Sequence, residues 1–497
     1  MKVLLVFTRS ASGVDGPRSV YGDTPVSLLT KFKDSVLQNI IKRAQFAVPP
    51  TALMVLSSIE VEGIEQHICD MRFDDLPLDG DWDLVGITVH TGLAKTAFEV
   101  ARKFRERGVK VVLGGPHVTL FPDSCVSEAD SIVIGEAEDL WKELLEDLKR
   151  GSLKARYQSD TLPDLSVYRP ISKRALNIKH YFTTNLVQTS RGCPYRCDFC
   201  NVYVMNGNRS RHRPIAHVVE EVERFLKEDK RVFFFVDDTI NADRAYATEL
   251  FTKLIPYKIQ WVGQATTLLG QQPEVLEAFA KSGCKGLLLG IEGVSDRTNH
   301  LHRKFQNKES ALVQNIKAIR AAGICVYGSF IYGLDGDTLQ TPRLLYDFIA
   351  ETGIDVPGIN ILRPIPGTAL FERLASEGRL MFPKDDIYAF RYSWGQELLC
   401  KPKQISVEDF IESYCDLTER LFTFKNAIKR TLNAPAIRPA ILMFNLAYIQ
   451  MYGLSRRDLR QQLFRLKQTH SEYLRFASTP TERTSEPSLF VDSLPNS

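Results

Sequence analysis

The sequence predicts an α/β protein with two units in series, a doubly wound parallel sheet and then a partial (β/α)6 barrel, followed by a helical region. Three observations carry this reading. Over residues 1–150, short apolar runs alternate with amphipathic segments, the pattern of a parallel sheet with helices on its faces. From Leu186 a second series of the same kind begins, and after Gly367 the α/β rhythm fades. The 497 residues exceed one ordinary core, so two or three domains are expected. The bounds are placed at 1–150 for the first sheet, 151–185 for a linker and 186–375 for the barrel. A mainly helical domain takes 376–477, and a disordered tail 478–497.

In the first unit, strands are expected at 3–7, 52–56, 84–89, 109–113 and 131–134. Between the third and fourth, Phe98, Val100, Ala101 and Phe104 supply a helical stripe within 96–107. The connection 8–50 is long for such a sheet; it is expected to carry a helix at 26–41 and to act as a lid over substrate or cofactor. Pro163, Asp164 and Pro170 break the linker. In the barrel, strands are expected at 186–190, 232–236, 259–264, 286–291, 326–331 and 358–362. After the first of these, Ile215, Val218, Val219, Val222, Phe225 and Leu226 form one helical face, with Glu220, Glu221 and Glu223 opposite. Six repeats rather than eight imply an open barrel. Residues 405–475 read as helical and turn basic at Arg456, Arg457, Arg460, Arg465 and Lys467. The tail is rich in Ser, Thr, Pro and Glu.

Composition narrows the class. An apolar fraction of 44% with 25% charged residues is that of a soluble globular chain. Lys and Arg total 63 against 60 Asp and Glu, a net charge of +3, which gives no argument for nucleic acid as a partner. No apolar run approaches the roughly 18 residues of a spanning helix. The start, Met1 to Phe7, is too short for a secretory core and reads as a strand. Nine cysteines, an odd number, do not suggest a disulfide framework. Three of them fall within eight residues, which fits a reducing cytoplasm and one metal site.

Those three lie in Ser190-Arg191-Gly192-Cys193-Pro194-Tyr195-Arg196-Cys197-Asp198-Phe199-Cys200, just after a predicted strand, where barrels place their chemistry. Thiolates suit iron–sulfur clusters or zinc. Spacings of three and two residues let one loop wrap three corners of a cubane and leave the fourth iron open. Structural zinc normally takes four protein ligands; His212 is a candidate fourth, but Arg209, Arg211 and Arg213 surround it in sequence. A redox disulfide between Cys197 and Cys200 would leave Cys193 without a role. Asp237 and Asp238, at the end of an apolar strand, are candidate catalytic residues, because buried carboxylates are costly unless paired or working. The structural alternative is a helix cap and an arginine partner such as Arg244.

The Cys-x3-Cys-x2-Cys run with Phe199 before the last cysteine resembles the radical S-adenosylmethionine (SAM) superfamily, over roughly residues 186–375. The resemblance implies a [4Fe–4S] cluster on Cys193, Cys197 and Cys200, with SAM chelating its open iron. It implies Phe199 near the adenine, Glu292 as the ribose-binding acid, and Gly328, Phe330 and Gly333 of Gly328-Ser-Phe-Ile-Tyr-Gly333 meeting adenine through the backbone. The usual Gly-Gly-Glu after the second strand is replaced by Val236-Asp237-Asp238-Thr239, a replacement common in cobalamin-using members.

The preceding sheet resembles the cobalamin-binding domain of the methyltransferase-rich branch. The matching residues are Thr88-Val89-His90-Thr91, Gly114-Gly115-Pro116-His117 and Gly135-Glu136-Ala137-Glu138, three loops that would floor a corrin ring, with glycines letting the backbone approach it. The Asp-x-His-x-x-Gly motif for a lower axial histidine is missing, so cobalamin would bind without one; the alternative is a relic domain without cofactor.

This resemblance implies a cobalamin-dependent radical SAM methyltransferase acting on an unactivated carbon of a lipid, tetrapyrrole or other secondary metabolite through a 5′-deoxyadenosyl radical. The alternative is a cobalamin-associated cyclase or ring-rearranging enzyme without methyl transfer. Expected partners are a large apolar small-molecule substrate and a low-potential donor, flavodoxin or ferredoxin. Asn360 to Thr368 resembles the sixth-strand end of relatives acting on hopanoids, chlorins and antibiotics, and does not discriminate among them. The apolar run 440–448 reads as a helix covering the barrel; a membrane-surface contact through the C-terminal region is the alternative.

Overall fold

The computed structural model describes residues 1–9, 48–167, 170–227, 231–384, 386 and 397–478, the side chains of 469–478 excepted. The helix expected at 26–41, nearly all of the 8–50 connection and the tail from 479 lie outside the described residues.

Six parallel strands build the first sheet: β1 (Lys2–Phe7), β2 (Glu65–Asp70), β3 (Leu84–Thr88), β4 (Lys110–Gly114), β5 (Ser131–Ile134) and β6 (Arg156–Gln158). Their order is β2-β1-β3-β4-β5-β6, and helices cover both faces. Every residue of β3 is buried, as a central strand covered on both sides requires. The helix Ala94–Arg105 turns Phe98, Val100, Ala101 and Phe104 into one of those layers.

Residues 52–56 are not a strand. They lie in the helix Thr51–Ser57, which follows Pro49-Pro50 and presses Leu53, Met54 and Val55 inward. Five apolar residues cannot separate a strand from a buried helix by periodicity, and Ala, Leu and Met favour the helix. The strand instead is β2, mostly polar because it is an edge. The opposite edge, β6, falls within 151–185, so that stretch is more than a linker. Its Ile171, Leu176 and Tyr181 also continue one apolar core from the first sheet into the barrel.

The barrel opens with β7 (Leu186–Val187), from which the chain leaves through β8 (Ser190–Arg191) and returns through antiparallel β9 (Arg211–His212). Then come β10 (Val232–Phe235), β11 (Gln260–Ala265), β12 (Cys284–Glu292), β13 (Cys325–Tyr332) and β14 (Val356–Ile361). The order β7-β10-β11-β12-β13-β14 is sequential and parallel throughout, an open six-stranded barrel with edges at β7 and β14. The helix Ile215–Leu226 buries Val218, Val222 and Phe225, but Glu221 is not on a solvent face. The segment beyond β6 covers it: the Ile171 amide donates to Glu221 at 2.7 Å, and Arg213 pairs with it at 2.6 Å.

The helices Val407–Leu421, Phe424–Asn433 and Arg438–Ser478 close the β14 edge. Ile359, in mid-strand, donates its N–H to the Tyr452 hydroxyl (2.6 Å) and accepts from Tyr414 (3.0 Å), so the edge is capped rather than open. Ile441, Asn445 and Ala447 are buried, which makes the run 440–448 a covering helix. Among the described residues no helix is long and apolar enough to cross a membrane.

Candidate active site

Residues 192–210 leave the barrel between β8 and β9 and carry all three cysteines. Gly192 begins this excursion at φ +88°, and a Cβ there would lie 2.5 Å from the Arg209 carbonyl oxygen, so only glycine fits. Asp237, at the carboxyl end of β10, holds the strand that feeds the loop. Its Oδ1 accepts from the Thr189 amide (3.1 Å), the Thr189 and Ser190 hydroxyls (2.7 Å each) and the Ser190 amide. Asp238 accepts from the Gly192 amide at 2.9 Å and from Asn206 at 3.3 Å. Neither carboxylate caps the next helix, whose cap is Asp243. Burial raises the Asp237 pKa, with its four donors opposing. Asp237 therefore positions the loop rather than standing open to a substrate.

The thiols of Cys193, Cys197 and Cys200 line the loop without converging on one point. Among the described residues no three His, Cys, Asp or Glu side chains gather as a single metal ion requires. His212 lies against the Tyr246 ring, 4.4 Å between centroids and tilted by 35°, instead of joining them. Burial raises the Cys197 pKa, and pushes Cys200 up to about 11. Burial therefore favours the protonated form of Cys197 and Cys200 until a metal displaces the proton. Cys193 and Cys197 nonetheless lie close enough to Cys200 to act on its charge, so one loop brings three sulfurs together, the soft donor set that an iron–sulfur cluster takes.

Beneath the loop, Asp198 fixes the backbone from behind. It accepts from His302 Nδ1 at 2.9 Å and from Arg373 at 2.7 Å, while His302 Nε2 accepts from the Asp335 amide at 2.9 Å. The chain after β12 thus packs under the cysteines and brings Lys304 with it. Lys304 is buried and lies 3.3 Å from Glu292. Burial disfavours its charge, but Glu292, Cys197 and Cys200 outweigh that and leave its pKa raised. Glu292, at φ +62°, ends β12 near Cys197.

Phe199 packs with Ile331, Leu334 and Leu362, against the carboxyl ends of β13 and β14. Gly328 and Phe330 face outward: Phe330 meets Phe348 edge-on, and a Cβ at Gly328 would lie 2.9 Å from Ile354. Only their backbone is available to a ligand in the barrel, whose interior receives Ser329 and Ile331 instead. Gly333, at φ +105°, donates its N–H to Asp337.

The three glycine-bearing loops of the first sheet follow β3, β4 and β5, side by side. Gly115 (φ +100°) lets two of them touch, since a Cβ there would lie 2.8 Å from Thr88 Oγ1. A cleft of about 350 Å³ opens between the sheets. Thr88, Gly114, Gly115, Gly135 and Glu136 line it from one side, and Gln188, Arg191 and Asn206 from the other. His117 does not reach it. That ring is fully buried beside Phe98 and Phe121, and burial lowers its pKa to about 4, so it is a neutral core residue. Pro116 starts the helix Pro116–Leu120 and does not line the cleft. His90 meets Phe7 edge-on, and its pKa is lowered by burial and by Arg72.

Glu136 does something the sequence did not announce. It pairs with Arg191 at 2.6 Å and with Arg211, while Glu138 takes a second nitrogen of Arg191 at 2.7 Å. These side chains are at most 18% exposed. The two arginines are the ends of the cysteine excursion, so the first sheet grips the loop directly. Arg191, Arg211, Lys304, Asp198 and His302 escaped sequence reasoning because their partners lie far away in the chain. Only the adjacency of Arg191 to Gly192 offered a signal.

Residues 187–349 match the Radical SAM superfamily. The chain is 29% identical, over 78% of its length and 85% of the relative's, to bacteriochlorophyllide d C-12(1)-methyltransferase of Chlorobaculum tepidum. It is 30% identical to an uncharacterized methyltransferase of Pyrococcus horikoshii, covering 67% of this chain and 80% of that protein. Its fold is similar to that of the radical SAM methyltransferase TsrM from Kitasatospora setae, solved with cobalamin and a [4Fe–4S] cluster bound. There the TM-score is 0.60 at 20% identity, over 76% of this chain and 75% of that one. With the three cysteines inside the matched segment and a doubly wound sheet ahead of it, the chain belongs to the radical SAM superfamily, in its methyltransferase-rich branch.

Proposed function

We propose that the protein is a cobalamin-dependent radical SAM methyltransferase that methylates an unactivated carbon of a large apolar substrate. The observation that carries this reading is the cleft between the two sheets, with glycine loops on one wall and the base of the cysteine excursion on the other. In that arrangement a methyl carrier on the loops and a radical source on the cysteines would share one substrate space. When bound, the cluster and SAM supply a 5′-deoxyadenosyl radical, and cobalamin supplies the methyl group.

The chain's own part is placement. Cys193, Cys197 and Cys200 would hold three irons, Glu292 the ribose, and Lys304 would balance the thiolate charge. Thr88, His90, Gly114, Gly115, Gly135 and the Glu136 backbone would lie along the corrin. The apolar walls of the cleft, among them Leu5, Val112, Val133 and Trp141, exclude water from that space. The tetrapyrrole named for the Chlorobaculum tepidum relative supports an apolar, pigment- or lipid-like substrate.

The test is reconstitution with iron, sulfide, cobalamin and a low-potential reductant, using SAM labelled with deuterium in its methyl group. Candidate tetrapyrroles and polycyclic lipids are offered separately. Expected is labelled product with S-adenosylhomocysteine and 5′-deoxyadenosine in equal amounts. Substrate-dependent 5′-deoxyadenosine with an altered but unlabelled product would overturn methyl transfer and favour a cyclase.

A further inference from the structure

The short helix Phe424–Asn433 buries Ala427 toward the long C-terminal helix but leaves three large apolar side chains in solvent. Phe424 is 68% exposed, Ile428 49% and Leu432 64%. Spaced four apart, they form a single ridge on one helical face. Lys425 and Lys429 are exposed along its flank, and Arg438 just beyond its end. From 420 to 457 the sequence holds seven Lys and Arg and no Asp or Glu. Carboxylates on neighbouring helices are already matched: Asp416 by Arg420, Asp347 by Arg343 and Glu351 by Lys317.

We propose that this helix docks the protein on an anionic lipid surface, with Phe424, Ile428 and Leu432 entering the headgroup–acyl boundary and Lys425, Lys429 and Arg438 meeting the headgroups. Three side chains on ten residues fall well short of the roughly 800 Å² per partner that a stable protein interface buries. An apolar ridge on a basic helix is what shallow insertion into a bilayer surface needs. The charge pattern selects an anionic surface over a neutral one. The position is also suitable. Asn433 and Ala436 contact Arg320 and Cys325 near the amino end of β13, whereas the cysteine loop lies at the carboxyl ends of the barrel strands. Attachment there leaves the candidate site unobstructed. The membrane contact considered for 440–448 thus moves to the preceding helix, because 440–448 is occupied with covering the barrel.

The full-length chain, loaded with iron and sulfide, is sedimented with vesicles of 70% phosphatidylcholine and 30% phosphatidylglycerol, and with vesicles of phosphatidylcholine alone (roughly these proportions suffice for an anionic surface). Binding to the anionic vesicles is expected, and at least about tenfold weaker binding to the neutral ones or at high salt. K425Q/K429Q should weaken it about 25-fold, at about fivefold per lysine, and F424S/L432S at least about tenfold. Melting temperature and iron content should stay at wild-type values in both variants. Absence of anionic-vesicle binding, or binding unchanged in both variants, would overturn the proposal. So would a dimer that F424S/L432S converts to monomer with no effect on vesicles, which would assign the ridge to a second copy.

Discussion

Replacing Asp237 in two ways distinguishes a positioning carboxylate from a catalytic one. All four donors that meet Asp237 converge on Oδ1, and Oδ2 adds only a second contact to the Thr189 amide at 3.2 Å. Asp237→Asn can keep Oδ1 as a carbonyl oxygen and retain its four contacts, losing only the longer contact of Oδ2 with the Thr189 amide, while removing a charge whose burial is unfavourable. Asp237→Ala removes the acceptor altogether. The Thr189 and Ser190 amides are then buried without a partner at about 1–3 kcal/mol each, so a loss of about 2–6 kcal/mol is expected. Because these two amides begin the cysteine excursion, the loss should appear as lowered iron content after reconstitution and a lowered melting temperature. Asp237→Asn should keep the melting temperature and iron content of the wild type, with SAM cleavage within about twofold of it, a change of about 0.4 kcal/mol. An asparagine variant with wild-type iron and melting temperature but no 5′-deoxyadenosine would refute the positioning role and restore Asp237 as a proton-handling group.

Two further outcomes follow from buried charges. Glu136→Ala leaves Arg191 and Arg211 short of a partner across the interface and should cost about 3–5 kcal/mol, read by chemical denaturation, with iron retention falling even though no cysteine has changed; unaltered iron retention would detach the loop from the first sheet. Asp337, which accepts from the Gly333 and Leu334 amides, has its carboxyl pushed by burial from 3.8 to about 7. The native state therefore keeps a proton that the unfolded state releases, so stability should fall as pH rises from about 4 through about 7, by up to about 4 kcal/mol. Asp337→Asn should flatten that slope in melting temperatures measured across pH 5–8, and equal slopes in the two proteins would be the contrary result.

What the sequence made legible, and what it did not, divides along physical lines. Buried central strands such as β3 and β12 are written as apolar runs because both their faces are covered. The edges β2 and β6 are largely polar and unmarked, whereas the apolar run 52–56, which looks like a strand in one dimension, is a helix. The cysteine spacing is local, so the loop could be found. Glu136, Arg191 and Arg211 meet across some 55 to 75 residues of chain, and no local pattern encodes such a meeting. His117 shows the converse failure. Its Gly-Gly-Pro-His context suggested a cofactor wall, yet only packing reveals that the ring turns inward between Phe98 and Phe121.

The cysteine excursion has little apolar core of its own, so its shape has to be imposed from outside, and the imposition comes from three directions. Asp237 and Asp238 hold its base from β10. Asp198, tied to His302 and Arg373, holds its far side from the chain after β12 and from the helix Ala369–Ser376. Glu136 and Glu138 hold both of its ends from the first sheet. Charge-assisted bonds suit this task because they are directional and geometrically specific, whereas apolar contact is non-directional. The third set has a structural consequence for the branch's two-sheet design. A loop on which a cluster is to be built is partly secured by the wall of the cleft that would carry the second cofactor. The first sheet is therefore part of the scaffold of the cysteine loop as well as a candidate platform for its own ligand, and one apolar core, holding Val3 and Phe410 alike, joins the two sheets.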